Sequence, residues 1–470
     1  MLGEYRPATI PRPEILRRVD LEDRLAKRVF ITGAYMQTPF GGLRSTLDAR
    51  LRGESAVVSF PDTGIDDVSV AAPLNFNARE HLDLGREDKW YSELAVLELY
   101  VITQALGSAS MLDENGRLDV TRLNAYKGGL FGNSGIGQAL GLVDIHDMIK
   151  LNNDLRRQLA SGEIDRATFL ERRAVIKGSD AFRAFPDQGN SRTAEYHKLM
   201  GKGNYASQAC ASGQAAVVDA YESIKSGKNR WAIAGGIERS LTHPELSFAS
   251  FDILHSLSHN PDPQSASRPL DRNRDGFIIG EGAGYLILES EDQALERGAT
   301  ILAEITGGEN VMDGFKKTEA NPDRIAMAIG KTCEVGAEEA TEETPEGDIV
   351  FPDVAYLHLT STELGDRVEI EAIRKVWGEY TRYIPLVGNK SAFGHALGAA
   401  GAINTIEAVY GIIDGVVAPT IHLRERGEEF EDLDVVETAR RINPQTALVT
   451  ANGFGGWTSA LLLKKFDPAA

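Results

Sequence analysis

Asn204-Tyr-Ala-Ser-Gln-Ala-Cys-Ala-Ser-Gly213 is the stretch from which the fold can be read. Asn204–Gln208 has the character of a short strand, the run stops at Ala209-Cys210, and a helix of small residues follows from Ala211 to about Lys225. Far downstream the plan repeats. Ile384–Val387 is a β-run, a turn passes through Lys390, and a Gly/Ala-rich helix extends from Ala396 to about Tyr410. Each copy sets a reactive side chain, Cys210 in one and His395 in the other, at the N-terminal end of a helix lined with Ala and Gly. Helices with so little side-chain bulk belong between layers, not on a surface. Working outward, Val29–Thr32 is a β-run leading through Gly33 toward a helix that ends near Leu47–Gly53. Thr300–Ile305 restarts that pattern after a junction at Glu289–Arg297. The chain therefore reads as a duplicated α/β body, with an extension over residues 1–26 and halves over 27–289 and 290–470. The charged, turn-poor stretch Asp144–Lys177 reads as a helical excursion lying over the core or on a dimer flank.

Composition narrows the function classes. The chain has 470 residues, 42% hydrophobic and 25% charged, which is the range of globular proteins with a large core. Its 50 Lys and Arg against 69 Asp and Glu leave a net charge of −19, and that field repels nucleic-acid phosphates. Only Cys210 and Cys333 are present, too few for a disulfide framework or a thiolate-rich metal cluster. Met1–Arg28 mixes charges throughout without a signal-like apolar run, and Ser391–Ile406 falls short of the ~20 apolar residues of a membrane span. A cytoplasmic protein is expected.

Several motifs compete. Cys210, placed at a helix start, is expected to have its thiol pKa lowered from ~8.5 toward ~7 and so to act as a nucleophile. Cys333 has no motif around it and reads as a small core residue. Gln208-Ala-Cys approaches a caspase signature, but the glycine, Gly213, comes one residue too late. Ser134 in Gly132-Asn-Ser-Gly-Ile-Gly137 does not complete a G-x-S-x-G elbow. Gly280-Glu-Gly-Ala-Gly284 and Gly453-Phe-Gly-Gly456 complete no dinucleotide or Walker fingerprint. His255 and His259 are four apart without a third ligand, so a solvated or packing role is expected for both.

Taken in order along the chain, seven segments resemble the β-ketoacyl-acyl-carrier-protein synthases, the condensing enzymes of the thiolase fold. They are Arg28-Val-Phe-Ile-Thr-Gly33, Gly132–Gly137, Asn204–Gly213, Ser267–Gly284, His358-Leu-Thr-Ser-Thr-Glu-Leu-Gly-Asp366, Asn389-Lys-Ser-Ala-Phe-Gly-His395 through Gly401, and Asn452-Gly-Phe-Gly-Gly456. The resemblance implies a thiolase fold, a five-layered αβαβα body of two similar halves. It implies a decarboxylative Claisen condensation between an acyl group on Cys210 and malonyl-acyl carrier protein, with His358 and His395 stabilising the oxyanion. By the same resemblance Lys390 organises charge near His395 and Glu369 stands behind the site. Thr360 and Thr362 hydrogen-bond the pantetheine arm, and the amides of Cys210 and Phe454 form an oxyanion hole with the Phe454 ring as gate. No metal or organic cofactor is implied. The partners implied are acyl carrier protein and a second subunit, as a homodimer or a heterodimer. The histidine at 395 favours the elongating type over Cys-His-Asn branches.

This chain also departs from the family pattern. Leu359 replaces a Gly after the first histidine and is expected either to crowd the pantetheine channel or to face a rearranged pocket. Asn452 stands where Phe is common, Trp457 where Thr is, and His259 where an arginine often helps dock the carrier. These changes keep two alternatives open: a specialised type II polyketide or aryl-polyene ketosynthase, and a non-catalytic chain-length partner, although such partners typically lack the nucleophile. An acidic carrier would have to be met by a local basic patch against the overall field, making docking salt-sensitive.

Overall fold

Along the main sheet, five strands from each half of the chain follow the same spatial order. In the computed structural model, which describes residues 28–135, 141–314, 320–334 and 347–467, the first half contributes β1 (Val29–Thr38), β2 (Gly128–Asn133), β3 (Lys202–Asn204), β4 (Trp231–Glu238) and β5 (Gly282–Ser290). The second contributes β6 (Ala303–Met312), β7 (Val354–Tyr356), β8 (Leu386–Val387), β9 (Thr446–Gly453) and β10 (Trp457–Lys464). From the central β1·β6 pair outward, one side runs β1-β5-β4-β2-β3 and the other β6-β10-β9-β7-β8. Strand directions repeat too: β2 is parallel to β3 and β4, as β7 is to β8 and β9, while β5 and β10 run antiparallel to their neighbours. The expected duplication is thus written into the sheet. The expected extension over residues 1–26 lies outside the described residues.

The five layers follow from the helices. The small-residue helices α2 (Ser212–Lys225) and α5 (Ala400–Asp414) pack on each other between the half-sheets, and each touches strands of both halves. Their close approach depends on missing side chains: a Cβ on Gly213 would stand 2.7 Å from the Gly398 carbonyl oxygen and 3.2 Å from the Ala402 Cβ. Helix α1 (Glu93–Ser108) covers β1 and β5 from outside, and α3 (Pro322–Cys333) with α4 (Glu363–Trp377) covers the other flank. Covered on both faces, β4 and β5 are buried along their whole length, which is why they read as continuous apolar runs without alternation.

Strand ends differ from the sequence expectation. β3 covers only Lys202–Asn204, so of the expected run Asn204–Gln208 only the first residue is in the strand; β2 continues to Asn133, whose side chain accepts the Ala206 N–H at 2.8 Å. The charged excursion contains helices over Gly141–Ser161 and Arg166–Arg172, with Leu142, Ile149, Leu151 and Leu170 exposed. A buried ion pair ties the first half to the second: Arg50, fully enclosed at the end of helix Leu43–Leu51, donates from Nε to Glu407 of α5 at 3.0 Å. The other Glu407 oxygen accepts from Asn389 at 2.7 Å, beside Lys390.

Candidate active site

Cys210 is held in a tight turn just before α2. Ala209 takes a left-handed φ of +48°, and Ser212 locks the turn by donating its hydroxyl to the Ala209 carbonyl (2.6 Å) while accepting the Gln208 N–H (2.9 Å). A non-glycine residue with positive φ at such a turn is strained, and the cost of order 1 to 3 kcal/mol is met by the surrounding structure. The expectation of a lowered thiol pKa is overturned. Burial pushes the Cys210 thiol up to about 12, the Glu238 charge adds to that, and Lys390 only partly opposes it. The helix begins at Ser212, two residues on, so desolvation outweighs the helix terminus. Cys333 is buried in the core, as expected.

The two histidines come from the second half. His358 follows β7, its backbone N–H shared between Glu369 Oε1 (3.0 Å) and the Thr450 hydroxyl (3.2 Å). His395 is stitched to the first half, donating its N–H to the Ile278 carbonyl (2.7 Å) and accepting from Gly280 (3.0 Å). Their rings meet with centroids 5.1 Å apart, and Phe277 packs edge-on against His395 at 5.2 Å. Burial first, then the Lys390 charge, hold both imidazoles well below the usual histidine range, so they are neutral. Both ring nitrogens of His395 and Nδ1 of His358 lack a hydrogen-bond partner among the described residues.

Lys390 and Glu369 are buried charged groups close to these residues: the Lys390 charge acts on both rings and Glu369 holds the His358 backbone. Burial lowers Lys390 to about 8 against the attraction of Glu369, Cys210, Asp366 and Glu407. Its Nζ has no hydrogen-bond partner among the described residues. Glu369 accepts from the amides of His358 and Leu359 (2.8 Å), the Thr450 hydroxyl (2.6 Å) and Asn452 Nδ2 (3.2 Å). Burial still pushes this carboxyl up.

Cys210, His358, His395, Thr360, Thr362 and Phe454 line one cavity of about 360 Å³. The two threonine hydroxyls are 3.0 Å apart, and Thr362 also caps α4 by accepting the Gly365 N–H. The Gly453-Phe454 turn lies against the nucleophile: a Cβ on Gly453 would be 2.6 Å from the Gln208 carbonyl oxygen and 3.2 Å from the Cys210 amide. Of the departures, Leu359 does not crowd the channel. With φ at +23° its side chain turns into the core, against Gly388, where an added Cβ would be 3.3 Å away. Asn452 lines the cavity; Trp457, opposite Gly453 across the hairpin, does not. His259 pairs with Asp252 at 3.0 Å. His255, expected to be solvated or packed, is exposed and lines the cavity with a φ of +50°. Leu364 and Val368, which sequence reasoning did not single out, line it too; their helical spacing in α4 was the available signal. A larger space of about 650 Å³, between helix Gly141–Ser161 and the body, contains none of the expected residues. Among the described residues no group of three or more His, Cys, Asp or Glu is disposed to hold a metal ion, and no helix is long and apolar enough to cross a membrane.

Known proteins resemble this chain over most of its length. Residues 160–294 match the model of the beta-ketoacyl synthase N-terminal domain and residues 312–424 that of its C-terminal domain. The 3-oxoacyl-[acyl-carrier-protein] synthase 2 of Staphylococcus aureus strain COL is 30% identical over 448 residues, covering 94% of this chain and 99% of that one. The Vibrio harveyi protein of the same name is 31% identical over 448 residues, covering 93% and 99%. Among solved structures, a beta-ketoacyl synthase from Burkholderia phymatum superposes with a TM-score of 0.78 at 27% identity, covering 94% of this chain and all of that one. A type II PKS ketosynthase bound to a hexaketide, in complex with its acyl-carrier protein, gives 0.75 at 25% identity with the same coverage. With a sheet repeated strand for strand, a cysteine and two histidines sharing one cavity, and relatives aligned nearly end to end, the chain belongs to the beta-ketoacyl synthase family of condensing enzymes.

Proposed function

We propose that this protein performs a decarboxylative Claisen condensation, joining an acyl group carried on Cys210 to a malonyl group carried on acyl carrier protein. The observation that carries the reading is the shared cavity of Cys210 with two neutral imidazoles. The Cys210 sulfur attacks the acyl thioester carbonyl, the carrier thiol leaves with the cysteine's proton, and the amides of Cys210 and Phe454 face the oxyanion. Malonyl thioester then enters along Thr360 and Thr362. Its C–CO₂ bond breaks, carbon dioxide departs, and the enolate oxygen is held by one N–H from each of His358 and His395. The enolate carbon attacks the Cys210 thioester, a carbon–carbon bond forms, and the sulfur leaves and is reprotonated. Neutral rings suit this task, since each keeps one donor without an excess proton. Lys390 and Glu369 set the local charge. Phe454 gates the cavity, with Gly455 and Gly456 at φ of +85° and +81° as the turn that lets it move.

The partner follows from the reaction: an acyl carrier protein, as in the type II relative solved with its own carrier, acting on a cytoplasmic homodimer. A polyketide-type substrate is the second reading, favoured by Asn452 in the cavity wall in place of an aromatic ring. Intact mass measurement after incubation with a panel of acyl-carrier thioesters tests both. A single acyl adduct on Cys210, lost in Cys210→Ala, is expected, and the preferred acyl group decides between the two substrate classes. Acylation that persists at another residue in Cys210→Ala sinks the assignment.

A further inference from the structure

Asn452 uses both ends of its carboxamide. Nδ2 donates to Glu369 Oε1 at 3.2 Å, and Oδ1 accepts the Thr458 hydroxyl at 3.0 Å from directly across the hairpin. The same Glu369 oxygen holds the backbone N–H of His358 and the Thr450 hydroxyl, while the other oxygen holds Leu359. The hairpin turn that follows Asn452 is pinned on its far side by Gly453 against the Cys210 turn and by the Asp313 N–H, which donates to Gly456 at 2.8 Å. An aromatic residue at 452 could make neither side-chain bond, and it would leave the Thr458 hydroxyl without this acceptor.

We propose that Asn452 is a positioning residue that fastens the Phe454 turn to the carboxylate supporting His358, so that the turn over the nucleophile and the imidazole beside it are placed as one unit. The inference rests on the condensation reading and goes beyond it, because the family pattern supplies no such tie. A donor facing a buried carboxylate favours its ionised form. The charged groups facing Glu369 are Lys390, whose charge favours the carboxylate, and Asp366, one turn earlier in α4, while His358 meets it through its backbone N–H. Losing the Asn452 donor therefore raises the Glu369 proton affinity and loosens the turn.

The test measures malonyl-thioester decarboxylation by the purified full chain across pH, with rates referred to the fraction of Cys210 that acylates so that misfolded protein does not count. For Asn452→Leu and Asn452→Phe, kcat should fall about tenfold with KM little changed, and the acidic limb of the pH profile should move to higher pH. Thr458→Val, which keeps the shape of the site, should move the same quantities in the same direction by less, and it carries the test if the Asn452 variants fail to fold. Unchanged kcat and pH profile in either Asn452 variant, or in Thr458→Val where those variants do not fold, overturns the proposal. A rise in KM alone also overturns it, because Asn452 would then merely touch substrate. If the unaltered protein neither acylates at Cys210 nor decarboxylates malonyl thioester, the condensation reading falls first, a result distinct from active protein with silent variants.

Discussion

The His358 and His395 rings meet edge to face, their planes at 83° and their centroids 5.1 Å apart, with Lys390 helping to keep both uncharged. Two neutral imidazoles lining one cavity would, under the proposed condensation, suit an oxygen that becomes anionic during reaction better than one at rest. Replacing His395 by Ala should slow malonyl decarboxylation by roughly 10²- to 10³-fold while Cys210 still acylates. Decarboxylation assays beside intact mass read the two steps separately, and equal loss of both would contradict the division of labour.

Cys210 should react as a buried thiol. With its pKa pushed up to about 12, alkylation by iodoacetamide should be slow at pH 7 and rise roughly tenfold per pH unit without levelling off below pH 10. Lys390 sharpens the test, since it loses its charge above about pH 8 and with it the larger of the two influences that favour the thiolate, the other being a backbone hydrogen bond. A plateau near pH 8 would show a thiol activated in the resting state.

Lys390 costs stability where it is charged. Its pKa falls from 10.5 in the unfolded chain to about 8 in the fold, chiefly through burial. The stability associated with the neutral amine is therefore present above pH 10.5 and lost as pH falls through about 8. At pH 7 Lys390→Met should stabilise the protein by about 1 to 3 kcal/mol, with Glu369 taking up a proton in compensation, and decarboxylation should be lost. Denaturant melts at pH 7 and pH 10 check the sign: the advantage of the variant should shrink at the higher pH.

The Arg50–Glu407 pair makes the opposite kind of demand. Both side chains are enclosed, and the two terminal nitrogens of Arg50 have no hydrogen-bond partner among the described residues. Glu407→Ala leaves that guanidinium without its counter-charge and should cost about 3 to 5 kcal/mol. The double variant Arg50→Met with Glu407→Met should recover most of it. Chemical denaturation of the three proteins reads both effects.

Leu359 separates a channel role from a packing role. Its side chain is buried in the core and absent from the cavity wall. Leu359→Gly should lower stability by about 2 to 3 kcal/mol, offset in part by relief of the positive φ, and leave KM for the carrier-borne substrate unchanged. A lowered KM would restore the crowding that the sequence suggested.

Much of this site was legible before the fold, because chemistry at a turn needs particular residue types at fixed spacing. The segments around His358 and Phe454 are legible only as members of an ordered set that resembles one family, whereas the small-residue helices behind Cys210 and His395 betray the duplication locally. What was hidden depends on contacts between distant segments. The direction of the Cys210 shift came from burial and from Glu238, which no local pattern reports. Leu359 turns inward only because Gly388 leaves room for it. Asn452 reads in the sequence as a missing aromatic ring, whereas in the fold Glu369 and Thr458 occupy its two ends, and no local pattern pairs Arg50 with Glu407, 357 residues away.

The interleaving of α2 and α5 also bears on how the chain is made. Each central helix completes the opposite half as well as its own, so the first half cannot bury Ser212–Lys225 until Ala400–Asp414 has left the ribosome. During that interval an apolar helix face and open strand edges wait for partners almost 200 residues away in the chain. Such non-local closure slows folding and exposes the nascent chain to aggregation. Either half expressed alone is expected to be insoluble, and the rate of synthesis becomes a determinant of yield.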